Sequence, residues 1–142
     1  MSTIAERART LLGEIARLEA RHGRAPGSVT LVGISKTHAA ASVREAHGAG
    51  LSQFGESYVQ EALPKIEALA DLPLTWHFVG RIQGNKTAAI AAGFAWVHGI
   101  DRLRIARWDE NEARGYYLRH LIHVYFIWNP RVHHEIVAFV TG

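Results

Sequence analysis

The start of the chain alternates apolar and charged positions with the period of an α-helix. Thr3 and Glu6 have the spacing of a capping box, in which each side chain binds the other residue's exposed backbone N–H. Gly23 and the Pro26-Gly27 pair then interrupt the pattern. The pattern predicts an amphipathic helix over about residues 3–22. Its apolar stripe consists of Ile4, Ala8, Leu11, Leu12, Ile15 and Leu18.

Short apolar runs follow, and amphipathic segments separate them. The first run, Val29–Ile34, is rich in β-branched residues, as is typical of a buried strand in a parallel sheet. Pro64 lies inside one of the predicted helices, where it removes a backbone hydrogen bond and favours a kink. The predicted strands span residues 29–34, 51–54, 76–80 and 94–98, and the predicted helices between them span residues 39–47, 57–70 and 85–92.

This regular alternation of strand and helix predicts an α/β fold with a parallel sheet. Parallel strands need crossover connections, and helices supply them. Alternation alone allows either a doubly wound sheet or a (β/α) barrel. No GxGxxG turn follows the first predicted strand, which counts against a dinucleotide-binding doubly wound fold.

Composition and charge narrow the classes of function. The length of 142 residues is that of one ordinary domain. The composition, with 48% hydrophobic and 20% charged residues, is typical of a soluble globular protein. No apolar run reaches membrane-spanning length, and the first helix lacks the uninterrupted apolar core of a secretory signal. We therefore expect a cytoplasmic protein, monomeric if folded, without a membrane partner.

The net charge of +3 is spread along the chain, with no run of Lys and Arg interleaved with aromatic residues. We therefore expect no nucleic-acid partner. The absence of cysteine excludes disulfides and thiolate metal sites.

A lysine stands at the predicted carboxyl end of the first strand, in the sequence Ile34-Ser35-Lys36-Thr37-His38. Ligands bind at that end of the strands in parallel α/β folds. The neutral amine of a lysine attacks aldehyde carbons. Partial burial beside an apolar strand would lower the lysine pKa from its usual value of about 10.4. Lys36 is therefore a candidate for imine formation, although its spacing alone favours a solvated lysine at a strand end.

Glu56, Ser57 and Tyr58 follow the second predicted strand and offer an acid, a hydroxyl and a phenol at the same rim. The alternative is a helix start, in which Ser57 is a good N-cap and nearby acidic residues suit the first turn. Without other information, the helix start is the better interpretation.

His77 lies within the third predicted strand, where alternation sets it on the face opposite Trp76 and Phe78. We expect this side chain to point into a barrel interior and to form hydrogen bonds there. A single histidine in a strand is more often a satisfied core residue than a catalyst.

The character of the chain changes after about Ala106. Residues 107–142 hold 7 of the 13 aromatic residues and 4 of the 9 histidines. A zinc site is suggested by the HxxH spacing of His120 and His123 and by the adjacent His133 and His134. No HExxH motif is present, so we predict no metal.

Four segments of the chain together resemble the pyridoxal phosphate homeostasis family, whose members are relatives of the alanine racemase barrel domain. The matching segments are VTLVGISKTH (29–38), FGESYVQEALPKIEAL (54–69), WHFVGRIQGNK (76–86) and VHGIDRLRIA (97–106). The resemblance implies a (β/α)8 barrel with an added N-terminal helix, of which this chain would form a part of about four βα units. It implies a non-catalytic carrier of pyridoxal 5'-phosphate (PLP), held as a Schiff base on Lys36, with Ser57, Tyr58 and His77 at the cofactor site.

The sequence also departs from this family. The family usually has Asn at the position of Ser57, and its phosphate-binding loops lie in a C-terminal half that has no match here. We therefore expect residues 1–106 to form the family domain and residues 107–142 to be a foreign tail, a pattern that a frameshift near Ala106 would explain. Cofactor retention is expected to be weak as a result.

Two other functions remain open from the sequence. A racemase-like enzyme would use Lys36 as acid and base and would need a second such group on the opposite face of the imine, for which only Tyr58 and His77 offer themselves. An interaction module would instead pack its aromatic tail against a partner. Measuring racemisation of alanine, or deleting residues 107–142, would separate these alternatives.

Overall fold

The computed structural model describes residues 2–98 and 124–125. The predicted first helix is confirmed as α1, Ile4–Arg21, with Thr3 as its N-cap. Glu6 N–H donates to Thr3 Oγ1 at 3.1 Å and Thr3 N–H donates to Glu6 Oε2 at 2.8 Å, so the capping box is present. Among the described residues, no helix combines the length and the apolarity that crossing a bilayer requires.

Strands and helices alternate along the described chain as predicted. After α1 the elements are β1 (Gly33–Ile34), α2 (Ala40–Gly48), β2 (Gln53–Glu56), α3 (Val59–Ala68), β3 (Thr75–Phe78), α4 (Thr87–Gly93), β4 (Trp96–His98) and β5 (Val124–Tyr125). A short 3-10 turn, Gly84–Lys86, leads into α4. All neighbouring strands are parallel and follow one another in chain order across the sheet, which confirms the α/β class.

The hydrophobic core lies between the helices and one face of the sheet. Phe54 and Trp76 are register partners on β2 and β3, with ring centroids 5.9 Å apart. Phe78, which is 1% exposed, meets Phe94 edge to face at 5.3 Å. The helices contribute buried residues to the same cluster, namely Val43, Ala46, Val59, Ala62 and Ile90. The sheet face opposite this core carries Gly55 and His77, which are partners in the β2–β3 register.

The first strand is shorter than predicted, because only Gly33 and Ile34 pair with β2. The buried carboxylate of Glu19, on α1, accepts the backbone N–H groups of Gly27 at 2.9 Å and Val29 at 2.7 Å. The start of the apolar run is therefore held to the end of α1 and does not join the sheet.

The second strand lies two residues further along the chain than predicted and includes Glu56. The prediction that Ser57 caps the next helix is wrong, because α3 begins at Val59 with Tyr58 at the N-cap position and without a side-chain cap. Pro64 lies inside α3 as predicted. The bounds of the other helices and strands up to β4 differ from prediction by at most two residues.

The predicted tail lies outside the described residues, except for β5. Val124 of β5 is the register partner of Val97 on β4. The predicted metal-binding candidates His120, His123, His133 and His134 also lie outside the described residues.

Candidate functional site

Lys36 follows β1 in a tight turn at the carboxyl end of the sheet. Ser35 N–H donates to Gly55 O at 2.9 Å and His38 N–H donates to Ser35 O at 3.0 Å, which fixes the two ends of this turn. Thr37 has a φ of 66°, a left-handed conformation that non-glycine residues seldom adopt. The expected partial burial of Lys36 is wrong, because the chain leaves the sheet after Ile34 and the lysine side chain is exposed.

A buried ion pair lies next to this turn. Glu56, the last residue of β2, is 0% exposed, and Lys65 of α3 is 7% exposed. Glu56 Oε1 accepts Lys65 Nζ at 2.7 Å and Ser35 Oγ at 2.6 Å, and Lys65 Nζ also donates to Ser35 O at 2.8 Å. Glu56 Oε2 is buried without a hydrogen-bond partner in the described part of the chain. The pair thus ties strand β2 and helix α3 to the residue that precedes Lys36.

Glu61 extends this group to the other side of Lys36. It lies one helical turn before Lys65, and its Oε1 accepts Thr37 N–H at 2.5 Å and Lys65 Nζ at 3.4 Å. We call Ser35, Glu56, Glu61 and Lys65 the Lys65 cluster. The sequence interpretation missed this cluster, although the four-residue spacing of Glu61 and Lys65 on one helix was a visible signal.

Ser57 and Tyr58 lie between β2 and α3, at the same end of the sheet as Lys36. Ser57 is half-buried, and Tyr58 is 56% exposed. Neither side chain forms a hydrogen bond with another described residue, Lys36 included. Their contact with a cofactor stays a prediction.

Gly80 lies against Ser57 at this rim. A Cβ at position 80 would overlap the backbone oxygen of Ser57, which cannot swing away as a side chain does. We expect Gly80→Ala to lower the free energy of unfolding by about 1–3 kcal/mol, measured by urea denaturation. Gly84→Ala is the matched control, because a Cβ there meets nothing within 4 Å. Equal denaturation midpoints for the two variants would contradict the expectation.

His77 forms the expected hydrogen bonds on the sheet face opposite the core. Its Nε2 lies 2.7 Å from Gln53 Oε1, and its Nδ1 lies 3.0 Å from His98 Nε2. Because the amide oxygen of Gln53 accepts the Nε2 proton, Nδ1 of neutral His77 accepts a proton donated by His98. The ring also stacks on Trp96 with centroids 5.7 Å apart. The sequence interpretation missed Gln53 and His98, which only the register of the sheet brings to His77.

Burial is the main cause that lowers the pKa of His77 to about 4, and the neighbouring His98 acts in the same direction. Burial also lowers the pKa of His98. Both rings are therefore neutral in the folded protein at neutral pH. They suit a polar contact inside the fold better than binding of an anion as imidazolium.

The neutral state of His77 predicts a loss of stability in acid. The unfolded chain binds a proton at this residue below about pH 6.5, whereas the folded chain does so only near pH 4. The free energy of unfolding is therefore expected to fall as the pH is lowered through this window. Urea denaturation over a pH series measures it, and His77→Gln should show a shallower fall. Equal slopes for the two proteins would refute this assignment.

The part of the chain that the structure describes holds no group of three or more metal-ligating side chains. The His77–His98 pair has no carboxylate or third histidine beside it there.

No protein-family model matches the chain. Individual curated proteins do match it. The chain is 56% identical over 107 residues to the pyridoxal phosphate homeostasis protein of Pseudomonas aeruginosa, a match that covers 75% of this chain and 46% of that protein. It is 44% identical over 109 residues to the protein of the same name from Escherichia coli K12, covering 75% and 47%. The chain thus spans about half the length of the curated relatives that it matches.

Solved structures agree with these sequence matches. The structure of PipY from Synechococcus elongatus with PLP bound has a TM-score of 0.55 and 45% identity, covering 63% of this chain and 43% of that one. The crystal structure of an unknown protein from Bifidobacterium adolescentis has a TM-score of 0.67 and 26% identity, covering 72% of this chain and 46% of that one. Over about three quarters of its length, this chain is similar to curated pyridoxal phosphate homeostasis proteins, each of which it covers to slightly less than half.

Proposed function

We propose that this chain is a PLP-binding protein of PLP homeostasis, with the cofactor held as a Schiff base on Lys36. The observation that carries the proposal is the accessible Lys36 amine, which has no hydrogen-bond or ion-pair partner among the described residues. It stands at the carboxyl end of β1 in a chain 45% identical to a protein solved with PLP bound. The names of the curated relatives support the same cofactor.

The bond to Lys36 needs only a neutral amine and an aldehyde. The amine nitrogen attacks the aldehyde carbon, a C=N bond replaces the C=O bond, and the oxygen leaves as water. PLP supplies the aldehyde. The chain supplies the nucleophile on a turn whose backbone is held on both sides. Ser57, Tyr58 and His77 are assigned to the lining of the same site.

We further propose that the sheet belongs to a (β/α)8 barrel, of which the described strands form one part. The strands follow one another in chain order, without the reversal that marks a doubly wound sheet. Residues 1–106 are assigned to this domain, consistent with the length of the matches to relatives.

The surroundings of His77 and Tyr58, the two candidates for a second acid or base, favour a carrier over a racemase. Both ring nitrogens of His77 are already engaged, by Gln53 and His98. The phenol of Tyr58 is exposed and has no partner in the described chain. We expect no racemisation of alanine by the PLP-loaded chain. A racemisation rate above that of PLP alone would show that the chain is an enzyme and would overturn its assignment as a carrier.

The cofactor assignment is tested by locating the attached PLP. The chain contains only three lysines, Lys36, Lys65 and Lys86, besides its N-terminal amine. Borohydride reduction after PLP addition turns a Schiff base into a stable pyridoxyl amine, and peptide mass spectrometry assigns the lysine. We expect the label at Lys36. Half-buried Lys86 is the internal comparison, and a label there or at the N-terminus in equal yield would overturn the proposal.

The cytoplasmic location, the monomeric state and the absence of nucleic-acid and membrane partners stay predictions of the sequence.

A further inference from the structure

The two residues that flank Lys36 are both held by buried or half-buried charges. The carbonyl oxygen of Ser35 accepts a hydrogen bond from the Lys65 ammonium at 2.8 Å. The N–H of Thr37 donates to the Glu61 carboxylate. The Lys36 side chain itself stays outside this group, exposed to solvent.

We propose that the Lys65 cluster positions the Lys36 amine, with Lys65 and Glu61 acting as positioning residues that hold the backbone on either side of it. This inference rests on the proposed role of Lys36 as the PLP-binding lysine. Lys36 lies on a turn and not inside a strand, and the positioning role explains how such a lysine would present its amine in one direction.

The Lys65 cluster is held rigidly by burial and by charged hydrogen bonds. Lys65 and Glu56 are almost fully buried, so neither can exchange its partner for water without leaving the core. Glu56 is the end of a strand and Lys65 belongs to a helix, so the pair is anchored by both layers of the fold. Charged hydrogen bonds in such a setting are shorter and stronger than neutral ones.

The turn after Lys36 has an unusual backbone conformation. Thr37 has a φ of 66°, which a β-branched residue adopts only when its surroundings enforce it. The hydrogen bond from Thr37 N–H to Glu61 is the contact that involves this peptide directly. Without it, the hydrogen bond from His38 N–H to Ser35 O is left to hold the turn, so Thr37 returns more readily to an extended or right-handed backbone and the direction of the preceding side chain is less fixed.

The cluster contacts the backbone beside Lys36 and leaves the Lys36 amine itself unbound. A lysine that binds an aldehyde must keep its nitrogen available, so hydrogen bonds to the amine itself would compete with the reaction. The Lys65 cluster instead acts only on the neighbouring peptides. Lys36 is thereby oriented while its amine remains open.

Glu61 offers the sharpest test because it is partly exposed and its replacement leaves the Lys65–Glu56 pair intact. Glu61→Ala removes the acceptor for Thr37 N–H. Glu61→Gln keeps a side-chain oxygen that accepts the same bond. Glu67→Ala, on an exposed position of the same helix, is the matched control.

Two measurements on the full chain decide the outcome. Hydrogen exchange at the Thr37 amide, followed by NMR without cofactor, should be about tenfold faster in Glu61→Ala. The rate of borohydride-trapped PLP addition at Lys36 should be about fivefold lower in that variant. Glu61→Gln and Glu67→Ala should match the unaltered chain in both, and all four proteins should share one denaturation midpoint to within a small shift.

The failures are distinguishable. Unchanged exchange at Thr37 in Glu61→Ala, or faster exchange with an unchanged rate of PLP addition, overturns the positioning role while the proposed function stands. A decrease of equal size in Glu67→Ala also overturns it, since the effect would then be general to the helix. No adduct at Lys36 in the unaltered chain overturns the proposed function and the positioning role together.

Discussion

Lys65→Met is expected to lower the free energy of unfolding by about 3–5 kcal/mol, the usual cost of removing one partner from a buried ion pair. Methionine fills a similar volume, so the loss of the charge dominates over the loss of packing. The Glu56 carboxyl group, 0% exposed, would be left in the core with only the Ser35 hydroxyl as a donor. Urea denaturation monitored by tryptophan fluorescence measures the effect.

Two further variants separate the buried charge from the general effect of replacing a lysine. Lys86→Met removes an ammonium that forms no ion pair with other described residues and should shift stability by less than about 0.5 kcal/mol. The double variant Glu56→Gln with Lys65→Met removes both charges and should recover part of the loss. A Lys65→Met protein as stable as the unaltered chain would show that the ion pair does not form in solution.

The features that sequence predicted well are those decided within a few residues. The capping box of Thr3 and Glu6 needs only the first turn of α1, so its residue types and spacing suffice. The strand–helix alternation likewise follows from local periodicity. Even Pro64 did not prevent the prediction of α3, because the apolar face of that helix outweighs one missing hydrogen bond.

The misplaced end of β2 has a physical cause that no local pattern carries. Glu56 is charged, and a charged residue after a short apolar run is typical of a loop or a helix start, so the local pattern does not include it in the strand. Its burial depends on Lys65, nine residues later and on another element, and on the hydroxyl of Ser35 from the neighbouring strand end. A buried charge is tolerated only where such partners converge, and their convergence is a property of the tertiary fold.

In the candidate site, too, the sequence predicts what local composition determines and misses what the tertiary fold determines. The sequence located Lys36 correctly at the end of a strand, because strand ends are marked by local composition. Its exposure agrees with the solvated lysine that the spacing alone favours, whereas the partial burial expected for imine formation is wrong because the chain leaves the sheet early. His98 and Gln53 were missed as partners of His77 because parallel register aligns residues that lie more than twenty positions apart.

Lys36→Arg is expected to abolish the Schiff base while leaving the fold intact. Arginine keeps the positive charge and a similar length, but its guanidinium stays protonated and offers no nucleophilic amine. The imine absorbance that PLP addition produces should disappear, and the reduced label at position 36 should fall by at least about tenfold. The free energy of unfolding should change by less than about 0.5 kcal/mol, because the side chain is exposed and bonds to no described residue.

The control for this variant is Lys86→Arg, which makes the same exchange on a half-buried lysine of the same chain. It should keep the imine absorbance and the label of the unaltered chain. A Lys36→Arg protein with the imine absorbance of the unaltered chain and an equal yield of reduced adduct would place the covalent bond on another amine. The turn held by Ser35 and Thr37 would then have no part in cofactor binding, because its hydrogen bonds orient only the side chain that lies between them.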